Sequence, residues 1–354
     1  MVPFFRDVSV IHHWTPADWS ELFRFARAGR LLAQVEARLR RENLLEQVPA
    51  EGRWQLTSAR IRFERARRQM LWEVDCLERA LRESEIPVVL LKGAAYLMAD
   101  FPWSDGRISV DVDILVPQEM LSQVESWLML SGWVAQKKSE YDDHFYRDWM
   151  HELPPMVHWD RKTELDVHHT LLPRTGKITI DSQRLWEEVV PFRGIFSLLS
   201  PHDMVLHSIL HTFQDGDLSD CFRDLLDLDG MLRYFSESEP DFWTQLRQRS
   251  EAFGLHRPVY HAFRTLREML HTPIPDTVFP QEVPGIFSRC WMDFAIRRAI
   301  LPELPSRTRF SVAISRKGLG MRQHWLRMPL KLLIPHLWHK WQERRREAKK
   351  RKTT

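Results

Sequence analysis

Two long stretches near the start of the chain repeat apolar residues at intervals of three and four. Residues 18–46 carry Leu22, Phe25, Leu31, Leu32, Val35 and Leu39, and residues 56–84 carry Ile61, Phe63, Met70, Leu71, Val74, Leu77 and Leu81. That spacing predicts two long amphipathic helices. The period then shortens. Residues 86–91 (IPVVLL) form a β-branched, apolar run suited to a buried strand, followed by Lys92-Gly93 and a helical stretch over 94–99. Residues 110–116 (VDVDILV) read as a second strand, and 156–159 and 164–168 as a hairpin across the turn-rich Asp160-Arg161-Lys162-Thr163. Helical spacing returns at Ser200, where Asp203 three positions on makes a capping box and Pro201 suits the first turn. Leu206, Ile209, Leu210 and Phe213 supply the apolar stripe of that helix. The next helix, about 219–235, sets Phe222, Leu225, Leu226 and Leu232 against Arg223, Asp224 and Asp227. The order of elements predicts an α+β protein, a small mixed sheet flanked by helices. It divides into an N-terminal helical region (1–85), a core (86–195), a helical module (196–275), a helical extension (276–335) and a basic tail (336–354).

Chemistry enters with the second strand. Side chains alternate faces along a strand, so Asp111 and Asp113 share one face while Val112 and Ile114 take the other. Two carboxylates on one rim repel unless a cation lies between them, and Mg²⁺ takes oxygen ligands of this kind together with substrate phosphates. Glu164, Asp166 and His168 likewise share a face of their strand, and Asp166 is placed to complete a three-carboxylate cluster. A polar outer face of an edge hairpin is the simpler reading of those three residues taken alone. Gly93, at the strand-to-helix turn, would let phosphate approach backbone N–H groups, with Lys92 supplying positive charge. His207 and His211 are i,i+4 neighbours, a spacing able to bind a metal, though packing or substrate contact explains them more simply.

These residues resemble a known signature. Lys92-Gly93, Arg107, the block from Val110 to Val116 and Glu164-Leu165-Asp166-Val167-His168 are similar to the motifs of the uncharacterised bacterial nucleotidyltransferases related to DNA polymerase β. The resemblance continues through Leu199-Ser200-Pro201-His202-Asp203, Leu206-His207, His211 and Arg223-Asp224-Leu225-Leu226-Asp227-Leu228, covering roughly residues 15–275. It implies a polymerase-β-like core and transfer of a nucleoside monophosphate from a nucleoside triphosphate to a hydroxyl acceptor. Asp111 and Asp113 would hold two Mg²⁺ ions, or Mn²⁺ in their place, and Asp166 would join them and help activate the acceptor. Lys92 and Arg107 would neutralise the β and γ phosphates, Arg favouring bidentate contact. Glu164, His168, His207, His211 and Arg223 are accessory candidates. The first motif departs from the family pattern, with Ala94 after Lys92-Gly93 where Gly-Ser or Gly-Gly is usual.

Composition adds a frame and one further feature. Three cysteines, Cys76, Cys221 and Cys290, lie far apart in 354 residues and suggest neither a disulfide framework nor a zinc motif. With no signal-peptide order at the N-terminus and no apolar run long enough to span a bilayer, the expectation is a cytoplasmic protein. The arginines at 60, 62, 65, 67 and 68 alternate with acids and suit a solvated helix face, with a nucleic-acid surface ranked lower. Residues 316–354 hold thirteen Lys or Arg against two acids, a balance of +11 in a chain of net +3, which leaves −8 on the rest. Trp325, Trp338 and Trp341 stand among these charges, so the segment could rest on an anionic membrane at its inner face; a packed last helix followed by a disordered tail fits equally. Two other classes use the same aspartate pair or fold: a metal-dependent glycosyltransferase acting on a nucleotide sugar, and a catalytically inactive interaction protein.

Overall fold

The computed structural model describes residues 1–136, 140–216, 218–304 and 310–353. Seven strands form one mixed sheet: β1 (Val88–Leu91), β2 (Asp111–Leu115), β3 (Trp133–Ala135), β4 (Met156–His158), β5 (Glu164–His168), β6 (Val190–Arg193) and β7 (Phe196–Leu198). Their order is β3-β4-β5-β2-β1-β7-β6. The α+β class expected from the sequence is the one observed. β1 is central, antiparallel to β2 and parallel to β7, and all four of its side chains are buried, as an unbroken apolar run requires. β2 pairs in parallel with β5, and β5 with β4 in the hairpin.

The second N-terminal helix runs from Ala50 to Leu81 and buries Leu56, Ala59, Phe63, Met70, Val74, Leu77 and Leu81. Ile61 is 64% exposed, because it lies two positions from both Ala59 and Phe63 and so faces away from their stripe. The first helix is not continuous. It ends at Ala28 and resumes as Leu32–Arg41, with Arg30 in the left-handed region at φ 57°. A Cβ on Gly29 would lie 2.7 Å from Pro302 Cγ, so close approach of the C-terminal region selects glycine at that break.

Helices Pro201–Ile209, Phe222–Ser238, Phe242–Ala252, His256–Leu270, Ile286–Ala299 and Phe310–Arg327 follow the sheet, and several of them share its acidic cavity. One connected set of buried side chains runs from Phe4 to Leu319. Ser200 caps its helix through Asp203 N–H at 3.3 Å, and the Asp203 carboxylate accepts from Arg249 at 2.8 and 2.7 Å. The helix Phe310–Arg327 is fastened to the body: Arg316 pairs with Asp220 and Glu303, Arg322 donates to the Phe213 carbonyl, and Arg327 clamps Asp215 at 2.6 and 2.8 Å. Part of the C-terminal positive charge is therefore spent inside the protein. The last helix, Leu330–Thr353, presents an open apolar stripe, with Ile334, Leu337, Trp338 and Trp341 exposed. Among the described residues, no helix is long and apolar enough to cross a membrane.

Candidate active site

The parallel pairing of β2 with β5 sets Asp111 opposite Glu164 and Asp113 opposite Asp166. Val112, Ile114, Leu165 and Val167 turn into the core, at most 1% exposed, which forces the intervening acids onto the other face. That face walls a cavity of about 720 Å³. Asp111, Asp113, Asp166, His168, Lys92, Gly93, Arg107, His211 and Arg223 all line it. Glu164 is exposed and His207 is buried, and neither belongs to the lining.

Asp113 is the most heavily bonded of the three carboxylates. Its Oδ1 accepts from Lys92 Nζ at 2.8 Å and stands 3.1 Å from His168 Nε2. Burial works to raise its pKa, but the Lys92 charge and the His168 hydrogen bond overcome it and hold the carboxyl well below the usual range. Lys92 adopts φ 45°, a left-handed conformation that costs a non-glycine residue about 1–2 kcal/mol. Its ammonium meets the carboxylate cluster at Asp113, and Lys92 lines the cavity there.

Asp166 behaves oppositely. Burial, with the like charges of Asp113 and Glu152 added, pushes its carboxyl up to about 7. Two acids on neighbouring strands are driven apart, one kept ionised and the other poised to exchange a proton near neutrality. The linkage has a definite sign. A folded pKa above the unfolded value of about 4 makes stability fall as pH rises from about 4 to 7, because the folded state must give up a proton it holds tightly. Asp166→Asn is therefore expected to stabilise the metal-free protein at pH 8 by roughly 2 kcal/mol and to do nothing at pH 4. Urea unfolding in chelator at both pH values checks this, and equal effects at the two would reject it.

Arg107 is fixed from behind. Its Nε donates to Asp227 Oδ2 at 2.6 Å, a second nitrogen donates to Ser109 Oγ, and the guanidinium lies over the Tyr96 ring at 5.5 Å. Burial opposes the charge, but Asp227 and Asp224 outweigh it and raise the Arg107 pKa. A Cβ on Gly93 would overlap Ser109 Oγ and approach the Arg107 guanidinium, so Gly93 makes room for the 107–109 loop. Arg223 reaches the Ile108 carbonyl at 3.3 Å, tying the same loop to the helix Phe222–Ser238. Both histidines of the helical pair are held neutral: His207 by burial first and Lys92 second, His211 by the Lys92 charge first and burial second.

Several lining residues come from segments with no readable motif. Glu152 and His151 enter from an irregular stretch before the hairpin, Asp215 and Arg327 from distant helices, and Arg30 and Arg62 from the N-terminal region. His151 and Glu152 stand next to His168, with Glu152 Oε2 3.7 Å from His168 Nδ1 and 4.0 Å from His151 Nε2. These three side chains form a group able to hold a metal ion. The only sequence signal for them is a His-Glu pair just ahead of Pro154-Pro155.

Carboxylates and arginines thus share one cavity on the mixed sheet. The chain belongs to the uncharacterised nucleotidyltransferase family, whose model matches residues 15–271. The crystal structure of JHP933 from Helicobacter pylori is similar at 16% identity, covering 78% of this chain and 97% of that one, with a TM-score of 0.33. No curated protein matches the chain.

Proposed function

We propose that the protein transfers a nucleoside monophosphate from a nucleoside triphosphate to a hydroxyl acceptor, with Mg²⁺ held by Asp111, Asp113 and Asp166. The observation that carries this reading is the placement of Asp113 opposite Asp166 on one cavity wall. The donor set fits the ion in its chemistry: three carboxylates are hard oxygen ligands, and burial together with the charges of Asp113 and Glu152 raises Asp166, a cost that a bound cation would relieve. Bound there, the ions would supply charge stabilisation around the α-phosphorus as pyrophosphate leaves. Asp166, on the same wall, would take the proton of the acceptor hydroxyl. Lys92 and His168 keep Asp113 ionised and oriented. Arg30, Arg62 and Arg223, which line the cavity, are the side chains that would meet the triphosphate, and Arg107 supports the loop between them. Incubation of the pure protein with Mg²⁺ and each α-labelled nucleoside triphosphate tests the reading, with nucleotide sugars as the alternative donors and metabolite extracts as the acceptor source. Saturable Mg²⁺-dependent triphosphate binding with label transfer is expected; binding of nucleotide sugars alone would replace this reading with glycosyl transfer.

The same proposal places the last helix on an anionic bilayer. Ile334, Leu337, Trp338 and Trp341 recur at three- and four-residue intervals, and Lys331 and Lys340 lie among them. That is the composition of an interfacial amphipathic helix. A truncation meant to test this must keep Arg327, which lines the cavity. Ending the chain after Met328 is expected to abolish sedimentation with phosphatidylserine vesicles while leaving nucleotide binding intact. Unchanged sedimentation would remove the membrane contact.

A further inference from the structure

We infer that His151, Glu152 and His168 form a second metal site, separate from the three-carboxylate site and selective for a borderline first-row cation of the Zn²⁺ class. Their donor atoms already lie within 4.8 Å of one another. Two ligands at about 2.1 Å from one ion can stand no more than about 4.2 Å apart, and the recorded Glu152 distances of 3.7 and 4.0 Å meet that limit. Two imidazoles and one carboxylate with open positions suit Zn²⁺, Fe²⁺, Mn²⁺ or Co²⁺, whereas Mg²⁺ prefers oxygen ligands alone.

The surroundings add to this geometry. His151 is 8% exposed, and its Nε2 faces Glu152 Oε2 at 4.0 Å, so the ring is buried with that nitrogen turned to the site. The His168 ring divides its two nitrogens between neighbours: Nε2 lies 3.1 Å from Asp113 Oδ1, while Nδ1 faces Glu152. When Nε2–H donates to the carboxylate, the Nδ1 lone pair is left facing the site. This is the carboxylate–histidine–metal relay that fixes tautomer and ring orientation around protein-bound cations.

The site is also braced by backbone. Glu152 and His168 form an isolated antiparallel bridge, Leu153 N–H donates to the Val167 carbonyl at 2.9 Å, and His169 N–H donates to the His151 carbonyl at 2.9 Å. The His151 and His168 rings stack with centroids 5.2 Å apart. An ion here would pin the 151–153 segment to β5 and lock His168 onto Asp113, so His151 and Glu152 act on the catalytic carboxylate as positioning residues.

Co²⁺ is the probe, because its visible bands report coordination directly. The full chain is expected to bind one equivalent at this site, with absorption that Zn²⁺ displaces and millimolar Mg²⁺ does not. The absorption should survive Asp111→Asn and fall by at least tenfold at fixed Co²⁺ in both His151→Gln and Glu152→Gln. X-ray absorption of the wild-type complex needs no variant and should count two imidazole ligands. No Co²⁺ binding, a spectrum indifferent to both substitutions, loss of the band in Asp111→Asn, or a shell of oxygen alone would each overturn the site. Nucleotide binding is read separately with Mg²⁺, so failure of the transferase reading would leave the Co²⁺ result standing, and the converse.

Discussion

Asp113→Asn is expected to lower nucleotidyl transfer by at least about 10³-fold, a loss of roughly 4 kcal/mol of transition-state stabilisation. The size follows from how many interactions meet at one carboxylate. Asp113 is a proposed metal ligand, the counter-ion of Lys92 and the acceptor for His168. An amide in its place removes the charge from all three at once and leaves the Lys92 ammonium deprived of its partner in a buried setting. The substitution has a second signature. Asp113 is one of the like charges that raise Asp166, so its neutralisation should let the Asp166 pKa fall from about 7 toward the ordinary carboxyl range. Titration of Asp166 in the metal-free protein, followed by NMR, should show that fall. Transfer within tenfold of wild type would remove Asp113 from the reaction, and an Asp166 titration that does not move would remove its charge from the causes of the shift.

The second large effect concerns stability. Asp227→Ala is expected to cost about 3–5 kcal/mol, because it strips the partner from Arg107, whose side chain is 8% exposed against 3% for Asp227. An unpaired guanidinium cannot shed its proton, and at 8% exposure water replaces little of the lost partner. The paired replacement of Arg107 by Met and Asp227 by Leu removes both charges and should recover most of the loss in urea unfolding. The double variant should still bind triphosphate more weakly, since the 107–109 loop loses its anchor. A double variant as unstable as the single one would show that packing against Tyr96, rather than charge, holds the loop.

The site was legible where one face of a strand is forced. Asp111 and Asp113 in β2 and Asp166 and His168 in β5 could be placed on a common wall because their apolar neighbours had to turn inward. Roles that depend on what a long side chain meets were not legible. Lys92 reads as a phosphate ligand beside a glycine, and its ion pair with Asp113 could not be read from that motif. Arg107 reads the same way, yet its partner Asp227 lies 120 residues further along the chain. His151 and Glu152 lie in a segment without periodicity, and only the bridge to His168 gives them a site. The break at Gly29-Arg30 was hidden by an apolar spacing that continues across it, since the tightest contact at the turn comes from the distant Pro302.

The clamp of Arg327 on Asp215 sets an order of events in the life of the chain. The sheet with its acidic wall is complete by Leu198, but the cavity gains its last lining arginine only from the end of the helix Phe310–Arg327. During synthesis, the carboxylates would therefore be presented as an open cleft long before they are enclosed. The finished cavity waits for the last turns of that helix to emerge.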